Sequence, residues 1–231
     1  MKRFLAVLLK MAFILLLFTA GGFWLLTLPP RDVPWGPVHL SDEIGLFTGY
    51  KINHLKNDFP ACQKALTRAQ IKFTPMENKT NGFCEQRNRV NIEQSRYPYS
   101  APVRADCALA AALVAWEENI VRPAAEKHLG QEIARIDHYG IYSCRRVNNS
   151  ESGRPSQHAF ARAIDISGFV LKDGTRISVL NDWGQGNDKA RFLKDVHNNA
   201  CQVFRGVLGP EYNNLHADHF HMDMGPYKIC R

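Results

Sequence analysis

No Cys-x-x-Cys pair occurs anywhere in the 231 residues, so a zinc ribbon and a thioredoxin-like redox motif are both excluded. Gly-x-Ser-x-Gly is also missing, which removes the strained nucleophile turn of the serine hydrolases. No period of about 20–50 residues runs along the chain, and that excludes a solenoid. Long apolar runs are scarce: there is one, at the N-terminus, so a polytopic membrane protein is excluded as well. Acidic residues are absent from positions 1–30. With 45% hydrophobic and 22% charged residues, the remainder has enough apolar material to build a core. The formal net charge is +7, but Lys2, Arg3 and Lys10 account for three of these, so the rest of the chain carries +4. That is too little to argue for nucleic acid; it suits a solvated surface or an acidic polymer.

The one long run is uncharged from Met11 to Pro30. Twenty residues at helical rise span about 30 Å, the thickness of a bilayer core. Basic residues precede it, so the positive-inside bias places the body across the cytoplasmic membrane. Residues 1–30 are therefore expected to be a signal anchor, residues 31–57 a linker and residues 58–231 one folded domain in the periplasm or another extracytoplasmic space. A cleaved signal and a secreted body is the alternative. Cleavage after Ala20 would put Phe18 where a small residue is wanted, while Gly21 and Gly22 suit it. Six cysteines follow the anchor: Cys62, Cys84, Cys107, Cys144, Cys201 and Cys230. An even number in an exported chain predicts three disulfides. Six cysteines allow fifteen pairings and sequence alone does not choose; the preferred set is Cys62–Cys84, Cys107–Cys230 and Cys144–Cys201.

Within the body, Pro60–Gln70 is expected as a short helix, and Ile71–Phe73 as a strand stopped by Pro75. Residues 76–88 read as a polar loop. Asn78-Lys79-Thr80 and Asn148-Asn149-Ser150 match a glycosylation acceptor pattern that arises often by chance. Asp106 starts the longest helix, with Leu109, Leu113, Trp116 and Ile120 at helical spacing, Pro123 as a kink and Gly130 as the cap. A second helix is expected from Asn187 to Leu208. Strand-like pieces lie at residues 134–142, 163–171, 176–180 and 220–224, with Asp173-Gly174 as a hairpin signal. The sum is α+β: a small antiparallel sheet flanked by helices.

Four of the nine histidines fall in two motifs, Ser156-Gln-His158 running on to Asp165, and His216-Ala-Asp218-His219-Phe-His221. In a strand, His219 and His221 share a face because the side-chain period is two. Asp165 sits among Ala163, Ile164 and Ile166, and a buried carboxylate needs a partner or a metal. A catalytic zinc takes three protein ligands from His, Asp or Glu and keeps one position open. His158, Asp165 and one histidine of the second motif make up such a set.

Ser156-x-His158, with Asp165 seven residues later and a His-x-His far downstream, resembles the LAS metallopeptidases, which include D-alanyl-D-alanine carboxypeptidases and the hedgehog signalling domain. The run from His216 to His221 is similar to that of murein endopeptidases. The overall pattern resembles the bacterial extensin-like C-terminal domain proteins. It is carried by Tyr142-Ser-Cys144-Arg145, the Ser156 block, Trp183, Val207-Leu-Gly-Pro210, His216–His221 and Cys230-Arg231, across roughly residues 58–231. Two positions depart from the LAS pattern: Ala161 stands where glycine is common, and Asp218 where the carboxypeptidase branch has glutamate.

The resemblance implies a LAS/hedgehog-like sheet carrying Zn²⁺ on His158, Asp165 and His221. It implies His219 as general base or transition-state stabiliser, with His216 orienting water or substrate and Asp218 as the rival base. Arg145 would grip a substrate carboxylate and Ser156 would bond its backbone. Tyr142, Trp183 and His138 would be rim or core; His39, His54, His128 and His197 are expected on the surface. The implied function is a zinc-dependent peptidase cutting bonds of peptidoglycan peptides in the cell envelope, with no nucleic-acid partner. The alternative is a non-catalytic wall-binding or structural module that keeps the zinc.

Overall fold

The computed structural model describes residues 2–231. Helix α1 (Lys2–Thr27) is exposed from Phe4 to Thr27, and that stretch is long and apolar enough to cross a membrane or serve as a signal sequence. Residues 31–57, expected as a linker, belong instead to the folded body. Leu40, Ile52 and Leu55 are buried in the main core, the last two in and just after helix α2 (Thr48–His54). The sequence hid this because only isolated apolar residues, with no period, make the contact. Buried Lys51 fixes the segment, its Nζ donating to the carbonyls of Pro30 and Pro37.

Helix α3 (Phe59–Arg68) starts where expected. Asp58 accepts from the Ala61 N–H at 3.0 Å, Pro60 lies in the first turn, and Cys62, Ala65 and Leu66 face inward. Strand β1 (Lys72–Met76) runs through Pro75 rather than stopping there. It is an edge strand of a three-stranded sheet, where a residue without an N–H is tolerated. The expected loop at 76–88 contains a hairpin of β2 (Lys79–Asn81) and β3 (Cys84–Gln86), turned at Gly82 with φ +57°. Strands β4 (Arg89–Gln94) and β5 (Val103–Asp106) complete the small sheet.

Asp106 caps helix α4 (Cys107–Trp116), its carboxylate accepting the Ala108 N–H at 2.9 Å. Every residue of α4 is buried, so it is a central helix rather than an amphipathic one. Trp116 packs on Phe169 and Phe204 at centroid distances of 6.0 and 6.4 Å, as core. A widened π turn (Glu117–Val121) absorbs the kink before Pro123, α5 (Arg122–Leu129) follows, and Gly130 in the left-handed region ends it. Fully buried Glu117 ties the turn to the loop after β4, accepting from Ser95 Oγ, the Arg96 N–H and Tyr99 Oη.

The larger sheet is built on β7 (Ala163–Leu171), with β6 (Ile133–Gly140) along one edge. The other edge is shared: β10 (Phe220–Asp223) pairs with residues 163–166 and β8 (Arg176–Ser178) with 168–170. The β7–β8 turn is the Asp173-Gly174 hairpin, as expected. Between β8 and β10 come α6 (Val179–Asp182), α7 (Asp188–Ala200) and β9 (Gly206–Leu208). Helix α7 ends eight residues before the expected Leu208, because the chain turns back after Cys201 and Val207-Leu208 enter the sheet. β9 pairs antiparallel with β10 and parallel with the terminal β11 (Ile229–Cys230). His197 is not on the surface but buried, its ring packed on Trp183 and Phe220.

All six cysteines are bridged, but in none of the preferred pairs. The bonds are Cys62–Cys107, Cys84–Cys144 and Cys201–Cys230. The preference for a short local loop failed because Cys62 on α3 faces the start of α4. The β2–β3 hairpin instead carries Cys84 across to the loop after β6.

Candidate metal centre

Strand alternation builds the centre. Ile164 and Ile166 of β7 and Phe220 and Met222 of β10 face the core, so Asp165, His221 and Asp223 face the opposite side. The antiparallel register sets His221 directly across from Asp165. His158 arrives from a 3₁₀ turn (Gln157–Phe160) whose first N–H groups are capped by Ser156 Oγ, which accepts the His158 N–H at 3.3 Å. Ala161 closes this turn at φ 53°, in the left-handed region where a non-glycine residue costs about 1–2 kcal/mol. The Ala161 carbonyl accepts the Asp106 N–H at 2.8 Å, which holds the turn onto the start of α4.

His158, Asp165 and His221 bring one ligand atom each into a single cluster, all within 4.8 Å of one another. His158 Nε2 lies 3.2 Å from His221 Nδ1 and 3.2 Å from Asp165, and His221 Nδ1 is 3.0 Å from Asp165. The outer nitrogens are committed elsewhere. His158 Nδ1 donates to the Ile141 carbonyl at 2.9 Å, and His221 Nε2 donates to Asp223 at 3.1 Å. Neutral imidazoles held in those tautomers turn bare lone pairs toward Asp165, so three acceptors face one another. Only a cation reconciles them, a proton or a metal, and one carboxylate with two imidazoles is a donor set suited to zinc. Burial pushes the Asp165 carboxyl up, but hydrogen bonds and charge from His158 and His221 outweigh it and hold the group well below the usual range. Burial lowers His221, yet Asp165 and Asp223 raise it to about 9.

His219 stands just before β10, with Nε2 3.5 Å from Asp165. Its Nδ1–H donates to Asp218 at 2.8 Å, and Tyr139 lies across the ring at 5.8 Å. Asp218 therefore orients His219 and is not itself aimed at the cluster. His216 is tied through Nδ1 to Asn213 at 2.7 Å, with its ring 5.3 Å from His219 and 5.9 Å from His221. Burial first, then the two neighbouring histidines, lower it to about 4, so it is neutral at neutral pH.

A groove of about 440 Å³ opens from the centre, lined by Arg145, Ser156, Tyr212, His216, His221 and Tyr227. Arg145 has no carboxylate partner among the described residues, whereas Ser156 spends its hydroxyl on the turn. The structure does not bring His138 to the site: its Nε2 bonds the Ala101 carbonyl at 3.1 Å. Trp183 lies on the core side of the sheet, against Phe220. Sequence reasoning assigned no role to Asp223, although its place two residues after His221 puts both on one strand face. It also missed the Ile141 carbonyl, a backbone group without any signature.

The match to known proteins runs through these same segments. A family model described as Extensin-like protein C-terminus matches residues 60–231, from α3 through both histidine motifs to the last residue. No curated protein and no solved structure matches the chain. The family match spans about three quarters of the chain, and the protein belongs to the extensin-like C-terminal family.

Proposed function

We propose that the protein is a zinc-dependent peptidase acting on peptidoglycan peptides, held by a retained α1 with its body outside the cytoplasm. The observation that carries this reading is the convergence of His158 Nε2, His221 Nδ1 and Asp165, each imidazole fixed by a bond on its far side, beside a histidine–carboxylate pair that is not part of the ligand set. His158, Asp165 and His221 would hold the ion. A zinc ion bound there would supply Lewis acidity, lowering the pKa of water to about 7 and polarising a carbonyl. His219 Nε2 takes the proton of the attacking water and returns it to the leaving amine. Asp218 keeps the imidazole in the required tautomer and stabilises its charged form. Neutral His216 offers its free nitrogen to substrate or water. Arg145 binds a peptide carboxylate with its planar fork.

Digestion of purified sacculi, with and without chelator, tests the reading, with products identified by mass spectrometry. Chelator-sensitive release of wall peptides is expected. His219→Ala should keep its zinc and lose about 10²–10⁴ in rate, the usual worth of general acid–base assistance. Cleavage indifferent to chelator overturns the proposal, and loss of zinc in His219→Ala would make His219 a ligand. A groove with an unpaired cation also supports binding without cleavage. In a wall-binding module the protein would sediment with sacculi and release nothing.

A further inference from the structure

A different surface lies at the opposite end of the folded body's chain, where α1 joins it. Helix α1 ends at Thr27, and Arg31 and Asp32 are already part of the body. The Arg31 carbonyl accepts the Phe47 N–H at 3.2 Å, and Asp32 accepts the Leu46 N–H at 2.9 Å. Gly45 leaves no room for a side chain there, because a Cβ would meet those of Arg31 and Asp32. Between Pro30 and Pro37 the chain makes a loop whose two ends are pinned by one buried ammonium, Lys51. The loop carries Trp35 outward at 55% exposure. Leu46 is 83% exposed and Tyr50 51%, on the segment bonded to the loop's base. Tyr50 lines one hollow together with Pro34, Pro37, Lys64 and Arg68. Of the nearby acids, Glu43 is paired with Arg31 and Asp58 caps α3.

We infer that Trp35, Leu46 and Tyr50 form an interfacial foot that sits in the headgroup layer of the bilayer into which α1 is inserted. The occupant follows from chain length. Three residues stand between Thr27 and Arg31, and the four peptide steps reach at most about 14 Å even when extended. The headgroup region beyond a hydrocarbon core is about 5–7 Å deep on each side. Leu46, hydrogen-bonded to Asp32, therefore cannot lie far from the membrane surface. Exposed tryptophan and tyrosine with flanking cations is the composition of an interface anchor. Tying the loop with Lys51 removes most of the freedom that a linker would have, so the body is set against the surface rather than swinging from it. This inference rests on retention of α1.

The test uses the full chain in vesicles of mixed zwitterionic and anionic phospholipid, with p-benzoylphenylalanine in place of Trp35, Leu46 or Leu180 in three separate proteins. Leu180 is 60% exposed and lies beside β8, which reaches the N-terminal end of α7 through the Lys189 bond to Arg176, whereas Gly49 of α2 abuts Gln202 past its other end. After illumination, a mass shift of one phospholipid is expected at positions 35 and 46 and not at 180. An intact chain with no adduct at 35 and 46, or with equal adducts at all three, overturns the foot while leaving the anchor standing. A mature mass that begins after the apolar run overturns the anchor, and the foot with it.

Discussion

Removing Asp223 should weaken zinc binding without removing a ligand. Asp223 Oδ2 accepts from His221 Nε2 at 3.1 Å, and its Oδ1 accepts the Gly225 N–H at 2.6 Å. The first bond fixes which imidazole nitrogen keeps a lone pair, and the second fixes the carboxylate. In Asp223→Ala the imidazole is free to carry its proton on either nitrogen and to rotate. Loss of such an outer partner typically costs about 10–100-fold in metal affinity, or about 1.4–2.7 kcal/mol. Asp223→Asn retains a neutral acceptor and should lose less. Gly206→Ala should resemble the alanine variant, because a methyl at 206 would overlap the Asp223 carboxylate and push it off its partner. The assay is competition against a chromophoric chelator at fixed pH, on variants whose circular dichroism matches the parent. The expected order of loss is His221→Ala above Asp223→Ala, then Asp223→Asn, with His219→Ala last and near zero. Unchanged zinc affinity in Asp223→Ala would refute the tautomer argument, and a full loss equal to that of His221→Ala would make Asp223 a ligand.

Glu117 offers a test in the core. Burial raises its carboxyl to about 7, against hydrogen bonds from Tyr99, Ser95 and the Arg96 backbone that pull it down. A raised folded-state value means stability fully present below the unfolded value of about 4.5 and lost as pH rises to about 7, an upper bound near 3 kcal/mol. Lowered His216 titrates with the opposite sign in this window, so the readout is the difference between parent and Glu117→Gln in denaturant unfolding across pH. That difference should fall as pH rises from about 4.5 to 7, and a flat difference would refute the assignment. Replacing Cys84 and Cys144 together by alanine opens a bridge of sequence separation 60 and should cost about 4 kcal/mol in the chain-entropy account. Replacing Cys201 and Cys230, separated by 29, should cost about 0.6 kcal/mol less. An unfolding midpoint unmoved in the first pair would show that its bridge contributes nothing.

The elements that sequence revealed were those with a strong local signal. The helix start near Pro60, Asp106 and Gly130 at the ends of the central helical stretch, the Asp173-Gly174 turn and the alternation of β7 and β10 all stand where expected. His158 and Asp165 also come together, as their spacing suggested, and the histidine that joins them is His221, the one the family resemblance implied. What failed depended on partners distant in sequence. The segment 31–57 folds because a few isolated side chains reach the core, and α7 ends early because the chain turns back to lay Val207-Leu208 against β10. Pro75 is tolerated only because its strand lies at an edge. Within the site, Asp223 was missed although its two-residue spacing to His221 offered a signal, while the Ile141 carbonyl offered none, because every residue has one.

The order of the bridges sets a problem for the newly made chain. Cys62–Cys107 and Cys84–Cys144 interleave, whereas Cys201–Cys230 stands apart. In the proposed topology the basic N-terminus stays inside and the body is exported behind α1, so Cys62 and then Cys84 emerge well before Cys107. An oxidant acting on cysteines in order of arrival joins those two and then Cys107 to Cys144, giving two non-native bonds. Reaching the native pattern then takes thiol attack on both bonds and their exchange. Maturation should accordingly depend on a disulfide isomerase as well as an oxidase, with the C-terminal bridge alone independent of it.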